Sequence, residues 1–431
     1  MPSPAVSVQS LPIVETPCPC RRLDARGAAN YFFGYYNKTV WDRAGRYLLA
    51  HRAPFRDALL TPALAVDVGF FDLARDTYHA VDTTRAWNWQ MGCQLQWLDG
   101  LPGRQIIYNV RVDNGAHGAG AFASRVRNLD TGATRDLPLP VYVVSADSRY
   151  ALCVDYGRLY ITHQTIGYPP RPARLPAAPD DDGIRRLDIA SGRHELVLSY
   201  GDLFRFHHLQ SMDNAIHWVS HMEISPSSRR VVLLHRWTER VEDETCFLHR
   251  LITMDPDGGN LRLLECSDHP LPQLGRGFDP ATVGTFDYEK SPWQISHPSW
   301  RDDEHIVVWG PHGGAIHYQL YRDSDAGDVQ AIAPAALAEN GHMTFSPVDS
   351  RWLLSDTYPD SVTHVRALFL FDVERNVRYD IGHFRADPHL SKENRCDLHP
   401  RWSRDGRSVC VDSMHESGRH MYVLDVSKVV A

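Results

Sequence analysis

Seven stretches of the chain share one pattern of apolar and polar positions. An aromatic or aliphatic residue opens the unit. A polar turn, an arginine or its equivalent, and a run of β-branched and aliphatic residues follow. The copies open at Trp41, Trp97, Val144, Ile224, Trp300, Phe345 and Trp402, and the last reads Trp402-Ser-Arg-Asp-Gly-Arg-Ser-Val-Cys-Val411. Gly, Asp and Ser in the turns supply the left-handed or side-chain-bonded backbone that a tight hairpin needs, and the apolar runs predict buried strands. Each copy is followed by a second hairpin, as in Phe71-Asp-Leu-Ala-Arg-Asp-Thr-Tyr78 and Met254-Asp-Pro-Asp-Gly-Gly-Asn260.

Two hairpins make a four-stranded antiparallel unit. Seven such units in a ring predict an all-β fold, a seven-bladed β-propeller that takes up residues 1–431 as one domain; a pair of β-sandwiches is the alternative. The intervals from Val144 to Ile224 and from Ile224 to Trp300 are longer than the others, which predicts inserted loops at 156–183 and 267–293 over one mouth of the ring. The last repeat reaches only Met421-Tyr-Val-Leu-Asp-Val426 before the chain ends. A strand from the N-terminal extension 1–25, with Ile13–Leu23 as the donor, is therefore expected to complete blade seven.

Composition narrows the function. The 431 residues carry 45 Lys+Arg against 53 Asp+Glu, a formal charge of −8. This argues against a non-specific nucleic-acid binder, which needs a basic stripe, but leaves room for a local arginine cluster that binds an anion. No apolar run is long enough for a membrane span and the first thirty residues lack a signal-peptide pattern, so no membrane partner and a cytoplasmic location are expected. The eight cysteines are scattered without CxxC pairs and predict small core residues more than disulfides.

The candidate chemistry lies at one position of the repeat. Three residues before the opening hydrophobic, the seven copies carry Lys38, Gln94, Val141, His221, His297, His342 and His399. With 23 histidines in 431 residues, chance rarely places four of seven there. In a radial array one position per blade faces a common axis, so four imidazoles from consecutive blades would converge on it, as a metal or acid–base site requires. The alternative is that they satisfy backbone groups where inner strands begin. Cys396 lies three residues before His399; a thiolate with imidazoles suits Zn²⁺, and imidazoles with oxygen ligands also suit Mn²⁺. His342, His399 and Cys396 are the first choice of ligands, and His297 is either a further ligand or a base beside the metal. Arg52, Arg111, Arg236, Arg395 and Arg401 flank the inner strands, and guanidinium forks bind carboxylates bidentately, which would suit a uronic acid. Lys38 and Gln94 join Arg52, Arg111 and Arg401 as candidate substrate contacts. Aromatic residues able to stack on sugar rings, Tyr35 and Tyr36 among them, lie nearby in the sequence.

The strings Tyr31-Phe-Phe-Gly-Tyr-Tyr-Asn-Lys38, Ala86-Trp-Asn-Trp-Gln-Met-Gly-Cys93, Leu234-His-Arg-Trp237 and Arg395-Cys-Asp-Leu-His-Pro-Arg-Trp402 resemble the β-propeller polysaccharide lyases. The ulvan lyases look nearest and the oligogalacturonate lyases more distant. The resemblance implies β-elimination at a uronic-acid glycoside, an anionic oligo- or polysaccharide as substrate, and a divalent metal, with Zn²⁺ favoured. It also implies roles for residues: Arg236 as neutraliser of the carboxylate, His221 as base, and His342, Cys396 and His399 as metal ligands. His117 is a second acid–base candidate, with Tyr160 or Tyr168 after it. The chain departs from the oligogalacturonate lyases at Cys396-x-x-His399-x-Arg401, where they carry Gln-x-x-His-x-His. A non-catalytic carbohydrate- or protein-binding propeller with a structural metal is the alternative function.

Overall fold

A computed structural model describes residues 13–24, 27–112, 122–169, 175–239, 241, 247–267, 293–325, 327–390, 392–416 and 418–431. Seven small antiparallel sheets form a ring, a seven-bladed β-propeller. The inner strands of blades one to seven are Asn30–Phe32, Gln96–Trp97, Val143–Val144, Ile216–Ile224, Ser296–Trp300, Thr344–Phe345 and Arg401–Trp402. Strands inside a blade are covered on both faces by the neighbouring blades. Val231–Thr238 and Leu248–Met254 accordingly bury every residue and read as continuous runs, not as an apolar–polar alternation.

The repeated turn forms for local reasons. In blade seven Ser403 Oγ accepts from the Ser408 amide at 2.9 Å and donates to Asp405 at 2.6 Å. Gly406 has φ +67°, a conformation only glycine adopts without strain. Its amide donates to the Ser403 carbonyl at 3.0 Å.

The tryptophans that open repeats join one blade to the next. The indole N–H of Trp97 donates to the Val40 carbonyl at 2.9 Å, that of Trp300 to the Glu223 carbonyl at 3.1 Å, and that of Trp402 to the Thr344 carbonyl at 3.3 Å. Each acceptor is the residue just before the opening hydrophobic of the preceding blade. The rings bury apolar area at the same junctions: Trp300 packs with Val232 and Leu234 of blade four, and Trp402 with Trp352 and Leu354 of blade six.

The ring closes through the N-terminal segment, which divides its work. Cys20–Arg22 pairs antiparallel with His420–Asp425 as the outer strand of blade seven. Ile13–Glu15, expected to be part of that strand, instead runs parallel to Val377–Arg385 and adds a fifth strand to blade six. The turn between them is held by the Cys18 amide on the Ile381 carbonyl and the Asp425 amide on the Pro19 carbonyl, both at 3.0 Å.

The insertion expected as a loop at 156–183 contains a helix, Tyr156–Thr162, whose N-cap Asp155 accepts from the Gly157 and Arg158 amides at 2.7 and 3.2 Å. Most of the second expected insertion, 268–292, lies outside the described residues, as does His117. Among the described residues no helix is long and apolar enough to cross a membrane.

Deleting residues 1–25 removes the closing strand together with Leu23, which is fully buried. Loss of that side chain alone costs on the order of 2 kcal/mol. The truncated protein should melt several degrees lower in a thermal scan; an unchanged melting temperature would show that closure does not depend on this strand.

Candidate functional site at the propeller axis

Three of the four repeat histidines share an uncommon backbone. His221, His297 and His399 have φ of 53°, 55° and 42°, and Gln94 at the equivalent position has 56°. Strand register shifts at two of these points, between Ser220 and Glu223 and between Ser296 and Ser299. A bulge with one left-handed residue re-aims a side chain at a strain cost of about 1 kcal/mol, and such strain concentrates at functional sites. His342 is held differently: its amide donates to Asp356 Oδ1 at 2.7 Å.

The imidazoles meet as an arc. Ring centroids are 5.8 Å apart for His221–His297, 4.2 Å for His297–His342 and 4.4 Å for His342–His399. Tyr35 sits between the ends of the arc, 5.6 Å from His221 and 5.0 Å from His399. Tyr36 lies 5.6 Å from both His297 and His342 and donates its hydroxyl to the Pro298 carbonyl at 3.0 Å. The four histidines and Tyr35 border a cavity of about 30 Å³, room for an ion and about one or two waters.

Among the described residues, the buried group whose ligand atoms lie within 4.8 Å of one another is His342, Asp397 and His399. Asp397, the neighbour of Cys396, supplies the third donor. Cys396 is buried outside this group, and burial pushes its thiol up to about 11, away from the thiolate a metal would need. The His342 ring nitrogen Nδ1 lies 2.9 Å from Asp356 Oδ1, the carboxylate–histidine arrangement that leaves Nε2 to face a metal. His399 Nε2 is buried with no hydrogen-bond partner. Burial alone would raise the Asp397 carboxyl, but the guanidinium groups of Arg395 (2.6 Å) and Arg366 (3.3 Å) hold it well below the usual carboxylate range. Burial, reinforced by cationic neighbours, keeps His221, His297 and His399 well below the usual imidazole range, hence neutral and able to donate lone pairs.

A second wall carries positive charge. Arg236, only 3% exposed, donates from Nη1 to His163 Nδ1 at 2.8 Å and lies over the Phe247 ring at 4.7 Å. Arg395 also borders the cavity.

The remaining sequence candidates lie elsewhere. Arg52 is paired with Asp67 at 2.6 Å. Arg401 is buried against Asp412 at 2.6 Å and donates to the Gly34 carbonyl at 2.8 Å, so it fastens blade seven to the segment bearing Tyr35. Arg111 donates to the Pro169 carbonyl and lies over Phe122 at 4.8 Å. Gln94 is buried, its amide 3.3 Å from Met91 Sδ. Lys38 is enclosed, its ammonium 5.6 Å from the Tyr142 ring and without a hydrogen-bond partner; burial brings it down to about 8. Tyr168 is core, stacked on Tyr156 at 4.1 Å, and Val141 packs between blades two and three. None of these seven borders the cavity.

Residues that the sequence left aside complete the site. Asp397 stands two positions before His399, and period-two spacing on an extended segment was a usable signal. His163 comes from the inserted helix, outside the repeat. His249 also lies outside the shared repeat position; its Nε2 accepts from the Ile295 amide at 2.6 Å.

No family model and no curated protein matches the chain. Among solved structures it is similar to an oligogalacturonate lyase in complex with manganese, with a TM-score of 0.63 at 14% identity over 96% of this chain and 95% of that one. An oligogalacturonate lyase from Vibrio parahaemolyticus covers 97% of each chain at 11% identity and a TM-score of 0.40. The β-propeller domain of the Trilobed protease from Pyrococcus furiosus covers 88% of this chain and 89% of that one at 11% identity, with a TM-score of 0.44. At such identities the likeness is one of fold.

Buried neutral histidines also make stability depend on pH. Burial brings His51 and His217 down to about 4 from the usual 6.5. The unfolded chain therefore takes up protons first. Stability is complete above pH 6.5, declines as pH falls from there, and stops declining below about pH 4, with on the order of 3 kcal/mol at stake for each ring. Denaturant melts at about pH 7.5 and about pH 5 should show a lower midpoint in acid; equal midpoints would mean that the rings protonate freely in the fold.

Proposed function

We propose that the protein is a lyase that cleaves uronate-containing oligo- or polysaccharides by β-elimination, with a divalent cation held by His342, Asp397 and His399 and with His297 as a further ligand. The observation that carries this reading is the pairing of an ionised, arginine-flanked Asp397 with the partnerless His399 Nε2 inside one 4.8 Å group. Three imidazoles and a carboxylate without a thiolate accommodate Mn²⁺ as well as Zn²⁺. A cation bound there would supply positive charge beside the substrate carboxylate and ease loss of the proton at the adjacent carbon.

The chain's own residues would do the rest. Arg236 binds the uronate carboxylate and holds the negative charge that develops when the C5–H bond breaks; buried, it acts with little competition from water. His221, kept neutral, accepts the C5 proton. The C4=C5 bond forms as the C4–O bond breaks, and the leaving oxygen takes a proton. Tyr35, between His221 and His399, has its hydroxyl held well above the usual range, mainly by burial, and so stays protonated. It takes the acid role that the resemblance gave to Tyr168. The sugar, including an ulvan-type uronate, belongs to this proposal.

The test is incubation of the purified protein with galacturonate- and glucuronate-containing oligosaccharides and polymers, with Mn²⁺ or Zn²⁺, following the ultraviolet absorbance of the unsaturated product. Product should appear and disappear with chelator. Arg236→Ala should lower kcat/KM by roughly 10²–10³-fold. His221→Ala should lower it by roughly 10²–10⁴-fold with the melting temperature kept.

The small cavity favours a second reading, a non-catalytic carbohydrate- or protein-binding propeller that binds elsewhere on its surface and keeps a structural metal at this site, because about 30 Å³ admits no sugar ring unless the walls open. Tight metal retention and a metal-dependent rise in melting temperature, with no product from any uronate, would establish that reading and sink the first.

A further inference from the structure

We propose that His163 is the positioning residue of Arg236; the inference rests on the reading of Arg236 as the carboxylate-binding cation. An arginine is an obligate donor, so the 2.8 Å contact from Arg236 Nη1 requires His163 Nδ1 to be unprotonated and places the ring hydrogen on Nε2. The imidazole is therefore a neutral acceptor. It orients the guanidinium and brings no charge of its own to the contact. Phe247 covers the guanidinium face at 4.7 Å and lies 5.9 Å from the His163 ring, so the fork is held both at an edge and across its plane.

The mount under His163 is rigid. It caps the helix Tyr156–Thr162, its own amide donating to the Leu159 carbonyl at 2.7 Å. Arg158, 1% exposed, ties that helix to blade four through the His217 carbonyl at 2.8 Å and to the Pro176 and Ala177 carbonyls at 2.8 and 2.9 Å. The next residue, Gln164, donates to Glu393 at 2.9 Å, close to the segment that carries Arg395 and Asp397. At Gly167 a Cβ would fall 2.1 Å from the Tyr160 amide nitrogen, so the chain returns against the helix with no room to shift. A side chain on such a support fixes its partner's geometry, and misplacing a binding group by about 1 Å can cost about 10²-fold.

The experiment uses the full chain loaded with Mn²⁺ and measures binding of D-galacturonate and of its uncharged counterpart D-galactose by calorimetry. His163→Ala should weaken galacturonate binding by roughly tenfold or more and leave galactose binding unchanged. His163→Asn, whose Oδ1 can stand in for Nδ1 as acceptor, should recover most of the loss. Equal weakening for both sugars, or no recovery with asparagine, would reduce His163 to a structural wall and overturn the proposal. Nitrogen NMR of the imidazole reads the contact without any sugar: Nδ1 should be unprotonated and Nε2 protonated at neutral pH, and Arg236→Met should release that preference. A protonated Nδ1 overturns the positioning role whatever the protein does to uronates. The expected tautomer in a protein that binds no galacturonate would leave the contact standing and sink the uronate reading alone.

Discussion

The indole N–H donated from one blade to a carbonyl of the blade before it is the constraint on which the axis depends. Trp97, Trp300 and Trp402 make the same bond to the same relative position, at Val40, Glu223 and Thr344. A hydrogen bond from a buried ring is worth only about 1 kcal/mol net, but leaving the donor unmet costs more, so the register between blades has little freedom to slip. Three residues upstream of the opening hydrophobic in blades four to seven, the histidines then reach one cavity. The Trp300 bond joins blades four and five, where His221 and His297 lie 5.8 Å apart, and the Trp402 bond joins blades six and seven, where His342 and His399 lie 4.4 Å apart, ring to ring.

At the axis burial acts in two directions. It keeps His221, His297 and His399 neutral, because a charged imidazole is poorly solvated there, and it would equally suppress the charge of Asp397. Arg395 and Arg366 reverse the second effect and leave the first in place. Neutral nitrogen donors beside an anionic oxygen are what a divalent cation needs. The guanidinium of Arg236, which lines the same cavity, is what a carboxylate needs. His342, His399 and Arg236 thus border one space of about 30 Å³.

Much of this was legible in the residues and some was not. The repeat, the seven blades, N-terminal closure of the last blade and the convergence of His221, His297, His342 and His399 followed from spacing alone. The division of Ile13–Leu23 between two blades did not, because a short strand carries no mark of which edge it will find. Arg52 and Arg401 had the look of substrate contacts, yet each is taken by a carboxylate that packing brings near, Asp67 and Asp412. Lys38 occupies the histidine position of its own repeat and is buried beside Tyr142. Cys396 and Asp397 differ by one step along the chain, and backbone direction at that step sets which of them joins the ligand group.

By itself the sequence determined the periodicity, and with it the fold and the residue types at the axis, because hydrophobic spacing and turn chemistry act locally and repeat. Tertiary structure alone decided which of the polar residues are committed to one another. It put His163 at the end of an inserted helix against Arg236, brought Arg366 to Asp397, and left His399 Nε2 without a partner. Ion pairs and tautomers depend on distances of about 3 Å between residues remote in sequence, and no local pattern encodes these.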